Sequence, residues 1–467
     1  MATITFLGAA QEVTGSCHLL SIPQVANLLL DCGMHQGGDA IKRLPTERFE
    51  FAPTDIDAII LSHAHLDHSG LLPLLVNTGF NRPIYCTQAT ADLLPIMLED
   101  AAGLYLRDLE RENLKRERRG QPAIEPLYTP EDVTRVLALC HGLHYGKPKH
   151  IHEDVQITLF DAGHILGSAI VQIDFSERGT TKRLVFSGDL GKRDSPLMQD
   201  PTMLTEADVV LMESTYGNRD HRSTDDSIAQ LEQVLHETWQ HGGNVLIPAF
   251  AVGRTQEFLF YLGQMYQQGR LDGWQIFLDS PMAIKITQIY DRWLHALDCE
   301  GVKALCEKDR SFLKDFLPQL IATNTPEESM AINRMKRGAL IIAGSGMCTG
   351  GRIRHHFKHR IWDEHNTVIF AGFQARGTLG RLLVDGMKHV KLFGDDLLVR
   401  ARIETIGGFS AHAGQTTLLD WAGNFKNSPN VFLVHGEPEA QDALAERLYS
   451  QKNISVTIPR KGQSFAF

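Results

Sequence analysis

The segment Ser62-His63-Ala64-His65-Leu66-Asp67-His68-Ser69-Gly70 packs three imidazoles and a carboxylate into six residues, and no other stretch constrains the chain as strongly. It runs straight out of Asp57 to Ser62, a continuous apolar strand signal, so the loop is expected at the carboxyl end of a buried strand, where sites often sit. A solvated polar loop is the plain alternative. Composition alone, however, would yield this HxHxDH spacing on the order of once in several hundred such chains. Imidazole and carboxylate suit Zn²⁺, and also Mn²⁺ or Fe²⁺. One loop cannot surround an ion, so further ligands must arrive from elsewhere.

The chain supplies them in similar settings. Asp161-Ala162-Gly163-His164 follows a strand pattern at Val155 to Phe160, Ser187-Gly188-Asp189 follows one at Arg183 to Phe186, and Val434-His435-Gly436 follows one at Asn430 to Val434. In each case a ligand-type side chain stands at or just past a strand end beside glycine, where the backbone can turn it towards a shared cleft. Taken singly, His164 or His435 would more readily be satisfied by a backbone carbonyl.

The wider pattern sets the frame. A chain of 467 residues exceeds one ordinary core and implies two or three domains. Short strands open it, Gln88 to Arg119 reads as a helix with Pro95 as a kink point and a solvated charged half, and from about Asp225 strands alternate with longer helices. That alternation implies a parallel sheet covered on both faces. With no flexible linker visible, the second domain is expected to be inserted into the first: residues 1-213, then an insertion at 214-388, then 389-467. No apolar run approaches the roughly 18–20 residues of a membrane span, and the start lacks a basic secretory n-region. Seven scattered cysteines without a CxxC pair read as reduced thiols of a cytoplasmic protein.

On these residues the sequence resembles the metallo-β-lactamase fold and, within it, the β-CASP branch of RNA-processing nucleases. Asp31 stands as the first motif, His63 to His68 as the second, His164 as the third and Asp189 as the fourth. Three further motifs belong to the branch: Glu213 in Glu213-Ser214-Thr215-Tyr216-Gly217, His412 in Phe409-Ser410-Ala411-His412-Ala413-Gly414, and His435 in Val434-His435-Gly436-Glu437. The implied fold is α/β, an αββα metallo-β-lactamase sandwich with an inserted β-CASP parallel α/β domain. The resemblance also implies two divalent ions, Zn²⁺ with Mn²⁺ as the other candidate. His63, His65 and His164 would hold one, Asp67, His68 and His435 the second, and Asp189 would bridge. Asp31 would orient a ligating imidazole, although it could equally close the turn with Cys32-Gly33. Relatives acting on DNA typically lack histidine at the last motif, and His435 is present here.

Two such ions about 3.5–4 Å apart can bind a bridging water, pull its pKa towards about 7, and clamp both oxygens of an in-line displacement. Asp67 is then catalytic as well as a ligand. The leaving ribose oxygen needs a proton, for which His412 is the candidate donor, with Glu213 keeping it cationic or, more plainly, capping a strand end. The net charge of −10 would repel a polyanion at long range. Ser214 to His389 is nevertheless near neutral, 20 basic against 19 acidic residues, while the rest holds 26 against 37. Arg334 to Lys388 carries ten basic residues against three acidic, a run that fits a phosphate-binding surface and equally a solvated helix face. Within it the loop Gly344 to Arg352 resembles the family's RNA-backbone contact, giving Ser345, Gly346, Thr349, Gly350, Gly351 and Arg352 as candidate contacts, helped by Arg254, Arg376 and Arg381.

The expectation is therefore a ribonuclease acting on single-stranded RNA, endonucleolytic with 5′ exonucleolytic action as the variant, its site in a cleft that opens between the domains, the chain acting alone or as a homodimer and away from membranes. A small-molecule ester or thioester hydrolase would not need an insertion of about 175 residues with such a loop. A non-catalytic RNA-binding scaffold would use the ions structurally.

Overall fold

The computed structural model describes the chain except residues 36–43, 47–48, 178, 295–296, 298–310, 312–314, 373 and 375–376. The chain divides into two compact units: Met1–Ser195 with Gln199–Asp220 and His412–Phe467, and Pro196–Met198 with His221–Ala411.

Among its described residues the first unit holds two seven-stranded sheets. One runs in the order Ser464–Ala466, Thr3–Phe6, His18–Ile22, Ala26–Leu30, Ala58–Ile60, Ile84–Thr87, Cys140–Leu143. The other runs Val456–Thr457, Asn430–Val434, Val209–Glu213, Thr180–Phe186, Ala169–Glu177, Val155–Asp161, Lys149–His152. Alternation in His18–Ile22, buried at every second residue, points Leu20 inward to meet the other sheet. Phe6, Leu20, Leu28 and Ile60 of one sheet and Ile157, Val171, Leu184 and Leu211 of the other form one buried cluster, the sandwich core. Cutting a side chain such as Leu211 to Ala in a core of this kind costs about 2–5 kcal/mol. Behind the second sheet, Val185, Val210 and Leu433 pack on Leu418 and Trp421 of the helix Gln415–Ala422 and on Leu444 of the helix Pro438–Lys452. The helix Gln88–Glu117 carries Pro95 within it and buries Leu93, Met97 and Leu98, while most of its charged second half is exposed. None of the described helices is long and apolar enough to cross a membrane.

The direction of the strands decides where the site lies. Thr180–Phe186, Val209–Glu213 and Asn430–Val434 are parallel neighbours, with Phe186 opposite Leu211 and Glu213 opposite Val434. Their carboxyl ends therefore share one edge, and the chain leaves that edge at Asp189, Glu213 and His435. Val155–Asp161 reaches the same edge through two antiparallel pairings and delivers His164.

Among its described residues the second unit has a six-stranded parallel sheet in the order Leu320–Ala322, Gln275–Leu278, Ala339–Ala343, Val245–Pro248, Thr367–Phe370, Arg402–Thr405. Ala339–Ala343, Val245–Pro248 and Thr367–Phe370 are buried at every position, as a sheet covered on both faces requires. The unit runs to Ala411 rather than to the expected 388. Arg402–Thr405 completes the sheet by pairing with Thr367–Phe370, and its Arg-Ile-Glu-Thr sequence lacks the apolar run that marks the inner strands.

Candidate metal centre

His63 and His65 follow the strand Ala58–Ile60, and a one-turn helix, Leu66–Ser69, lifts Asp67 and His68 beside them. Backbone bonds pin this loop: Cys32 N–H donates to the His68 carbonyl at 2.8 Å and Ser16 N–H to the Asp67 carbonyl at 2.8 Å. A Cβ on Gly33 would fall 1.7 Å from that Asp67 oxygen, so the approach requires glycine.

His164, Asp189 and His435 arrive as the strand directions dictate. His65 Nδ1 lies 3.1 Å from His63 Nε2 and 3.3 Å from His164 Nε2. Asp189 is the hinge of the arrangement. Its Oδ2 is 3.5 Å from His63 Nε2 and 3.6 Å from His164 Nε2, whereas its Oδ1 is 3.3 Å from His68 Nε2 and 3.5 Å from His435 Nδ1. His435 Nε2 stands 3.7 Å from Asp67 Oδ2. Among the described residues three groups have ligand atoms within 4.8 Å of one another: His63, His65, His164 and Asp189; Asp67, His68 and His435; and Asp189, Glu213 and His412.

An outer layer fixes the rings. Asp31 Oδ2 accepts from His68 Nδ1 at 2.6 Å and from the hydroxyls of Ser16 and Ser62 at 3.0 Å each, and Asp31 Oδ1 accepts from Ser62 N–H at 2.8 Å. Ser62 Oγ is also 3.0 Å from His63 Nδ1, and Thr215 Oγ1 is 3.1 Å from His435 Nδ1. Partners of this kind set tautomer and ring orientation. Sequence reading named Asp31 but missed Ser16, Ser62 and Thr215. Only Ser62 gave a signal, by standing directly before His63.

The electrostatics favour positive charge. Burial, then His68, keeps His63 well below the ordinary imidazole value, and burial brings His65 down to about 4, so both offer neutral nitrogens. Burial opposes ionisation of Asp189, yet His435 and His68 outweigh it and hold the carboxyl well below its usual range. For Asp67 the neighbouring imidazoles of His435 and His68 outweigh burial in the same sense. His68 is pushed well above its usual value because Asp189 and Asp31 overcome its burial. A field that draws a proton to this spot also draws a metal cation.

The donor set fits such cations. His68 Nε2, His435 Nε2 and Asp189 Oδ1 are buried with no hydrogen-bond partner among the described residues. Orphaned buried polar atoms normally cost about 1–3 kcal/mol each, and converging ones are the mark of a ligand shell.

Beside this shell, His412 Nδ1 is 3.2 Å from Glu213 Oε1 and 3.9 Å from Asp189 Oδ2, and the His412 side chain keeps 21% of its surface exposed. Glu213 is fully buried and also accepts from the amides of Leu190 at 2.7 Å and Thr215 at 3.2 Å, so capping and support of His412 are performed by one carboxylate. Burial opposes the charge on His412, but Glu213 outweighs it and raises the imidazole above its usual value.

Comparison with known proteins agrees with this geometry. Residues 12–235 match the model of the metallo-β-lactamase superfamily, residues 255–383 that of the Beta-Casp domain, and residues 396–459 that of the Zn-dependent metallo-hydrolase RNA specificity domain. Ribonuclease TTHA0252 of Thermus thermophilus is 39% identical over 98% of this chain and 98% of its own length. The chain belongs to the β-CASP branch of the metallo-β-lactamase superfamily. Transcription termination factors named FttA also match: that of Methanocaldococcus jannaschii at 33% identity over 93% of this chain and 67% of its own, and that of Methanosarcina mazei at 32% over 97% and 69%.

The β-CASP unit corrects part of the expected phosphate surface. Arg352 is bonded within the unit while its side chain keeps 21% of its surface exposed. Its Nη1 donates to Asp279 Oδ1 at 2.7 Å and to the Thr323 carbonyl at 3.0 Å, and its Nη2 donates to the Asn324 carbonyl at 2.9 Å. Fully buried Asp279 also accepts from Thr323 Oγ1 at 2.5 Å and from Ser329 Oγ and His356 Nε2 at 2.6 Å each. Those bonds, from His356 first, outweigh burial and hold the carboxyl well below its usual range. Arg254 is buried 3.5 Å from Glu257, and Arg381 pairs with Asp385 at 2.9 Å. Arg376 lies outside the described residues. In the glycine loop, the amides of Ser345 and Gly350 donate to the Gly350 carbonyl and to Ser345 Oγ, at 3.3 Å each, while Gly346 is buried under Phe250. Thr349 and Gly351 are the exposed positions.

Proposed function

We propose that this β-CASP protein is a metal-dependent ribonuclease that cuts single-stranded RNA internally, with two divalent cations, Zn²⁺ first among the candidates, held by His63, His65 and His164 and by Asp67, His68 and His435. The observation that carries the reading is Asp189, whose two oxygens face the two histidine groups separately. Bound there, the cations supply Lewis acidity that activates water and offsets charge on the phosphate. Asp189 sets the spacing of the two groups, and Asp67 adds the second carboxylate near the reacting phosphate. Asp31, Ser62 and Thr215 hold the imidazoles in fixed tautomers. His412 keeps a proton that Glu213 stabilises and delivers it to the departing ribose oxygen. Thr349 and Gly351 offer exposed backbone to the RNA phosphates. The described cysteines Cys17, Cys32, Cys86, Cys140 and Cys348 are thiols outside any disulfide, which fits a reducing cytoplasm, whereas Cys299 and Cys306 lie outside the described residues.

The test is an assay of the purified protein on end-labelled single-stranded RNA and DNA, with metal analysis, beside His412→Ala. Cleavage within RNA, sparing DNA and stopped by a chelator, is expected. His412→Ala should keep its metal and cut about 10²–10⁴-fold more slowly. Cutting at the parental rate would remove His412 from the mechanism.

A further inference from the structure

The hairpin His389–Leu392 and Asp395–Leu398 turns through two residues, Phe393 and Gly394, both left-handed at φ 53° and 94°. Such a turn selects Asn-Gly, because a bulky side chain rarely adopts that conformation. Phe393 occupies it nonetheless and remains 49% exposed, so burial does not explain its presence. Strained positions of this sort cluster at functional sites.

Its surroundings say what it serves. The ring of His355 stacks on Phe393 at 4.3 Å and 23°, and the guanidinium of Arg354 lies 5.3 Å from the Phe393 centroid. Both come from the helix Ile353–Arg360, which follows the glycine loop directly, and Arg354 Nη1 reaches back to the Thr349 carbonyl at 3.4 Å. Lys358 is neutralised by Asp395 at 2.7 Å, but Arg354 has no acidic partner among the described residues. Burial first, then His359, Arg354 and Lys358, lowers the pKa of His355, leaving a neutral ring beside a cation. An exposed aromatic stack with an unneutralised guanidinium, joined to a backbone-contacting loop, matches the way proteins hold single strands: bases on rings, phosphates on cations.

We infer that Phe393 and His355 form a platform on which bases of a single-stranded RNA stack, with Arg354 against the adjoining phosphate. The inference rests on the ribonuclease reading and adds to it a sequence-tolerant grip on bases.

The test measures binding of a fluorescent single-stranded RNA by anisotropy, with KM and kcat for its cleavage, for the parental chain, Phe393→Ala, Phe393→Asn and Phe393→Trp. Stacking predicts a rise of about 10-fold in Kd and KM for the Ala and Asn variants with kcat within about twofold, and recovery in the Trp variant. Asn suits the turn, so its loss of affinity is not a folding defect. An RNA carrying abasic sites should bind the parental chain as weakly as intact RNA binds Phe393→Ala. Unchanged affinity in both the Ala and Asn variants overturns the platform and leaves the patch to another partner, such as a protein. A parental chain that binds RNA without cutting it sinks the ribonuclease reading alone, since the platform is judged on binding.

Discussion

The His/Asp cluster at the strand ends of the first unit and the Asp279 node of the second are built from the same chemistry, buried carboxylates facing imidazole, and they differ in what is left over. Asp279 has a donor for each lone pair it presents, from Thr323, Ser329, Arg352 and His356. Around Asp189, by contrast, Nε2 of His68 and of His435 and one carboxylate oxygen have no hydrogen-bond partner among the described residues. A closed node stores its interaction energy in the fold. An open one holds it ready for something that is not protein. Burial and residue type do not separate the two; the count of unmet polar atoms does.

The sharpest way to break this contrast is to remove a ligand from the open cluster. His68→Ala should lose bound metal and at least about 10³-fold in RNA cleavage while melting close to the parental chain, read by metal analysis, activity and calorimetry. A variant that unfolds with its metal loss would make this cluster structural too.

Asp279→Ala should do the opposite. It strands Arg352 and His356, with an expected cost of about 3–5 kcal/mol in stability, while the metal content of the first unit stays unchanged. The acid side adds a second signature. Because the folded Asp279 carboxyl is depressed, its stabilisation is complete above the unfolded value of about 3.9 and is lost as pH falls from there towards the folded value. Denaturation of the parental chain between about pH 5 and 2 should therefore be steeper than that of Asp279→Asn. Equal slopes would show that the node does not ionise as its bonds imply.

The smallest effect is expected at Ser62→Ala, which takes one hydroxyl from behind His63 and His68 without touching the ligands. Metal affinity should fall about 10–100-fold with stability little altered, measured by competition with a chromogenic chelator.

The residues that the structure brings together were legible because they are chemically distinctive and lie past strand ends, His63 to His68 as one dense motif and His164, Asp189 and His435 beside glycine, a pattern that survives in one dimension. Their supporting residues were not. Ser16 and Thr215 carry no signal of their own, since their role exists only once Asp31 and His435 have been brought beside them. The partner of Arg352 was hidden for the same reason. A run of basic residues shows charge but not the acid that meets it, and Asp279 stands far away in sequence, after the strand Gln275–Leu278. Arg360 repeats the lesson, turning inward to Asn333 and the Ile332 carbonyl. The edge strand Arg402–Thr405 was silent for a reason of composition, because a strand this polar does not announce itself.

Asp189, Glu213 and His435 leave three adjacent rungs of one hydrogen-bonded ladder, so the pitch of about 4.8 Å between strands acts as a ruler for the groups mounted on it. Loops around that edge can be rewritten without disturbing the gauge. The chain thereby separates what must be held to tolerance from what is free to vary with the RNA it meets.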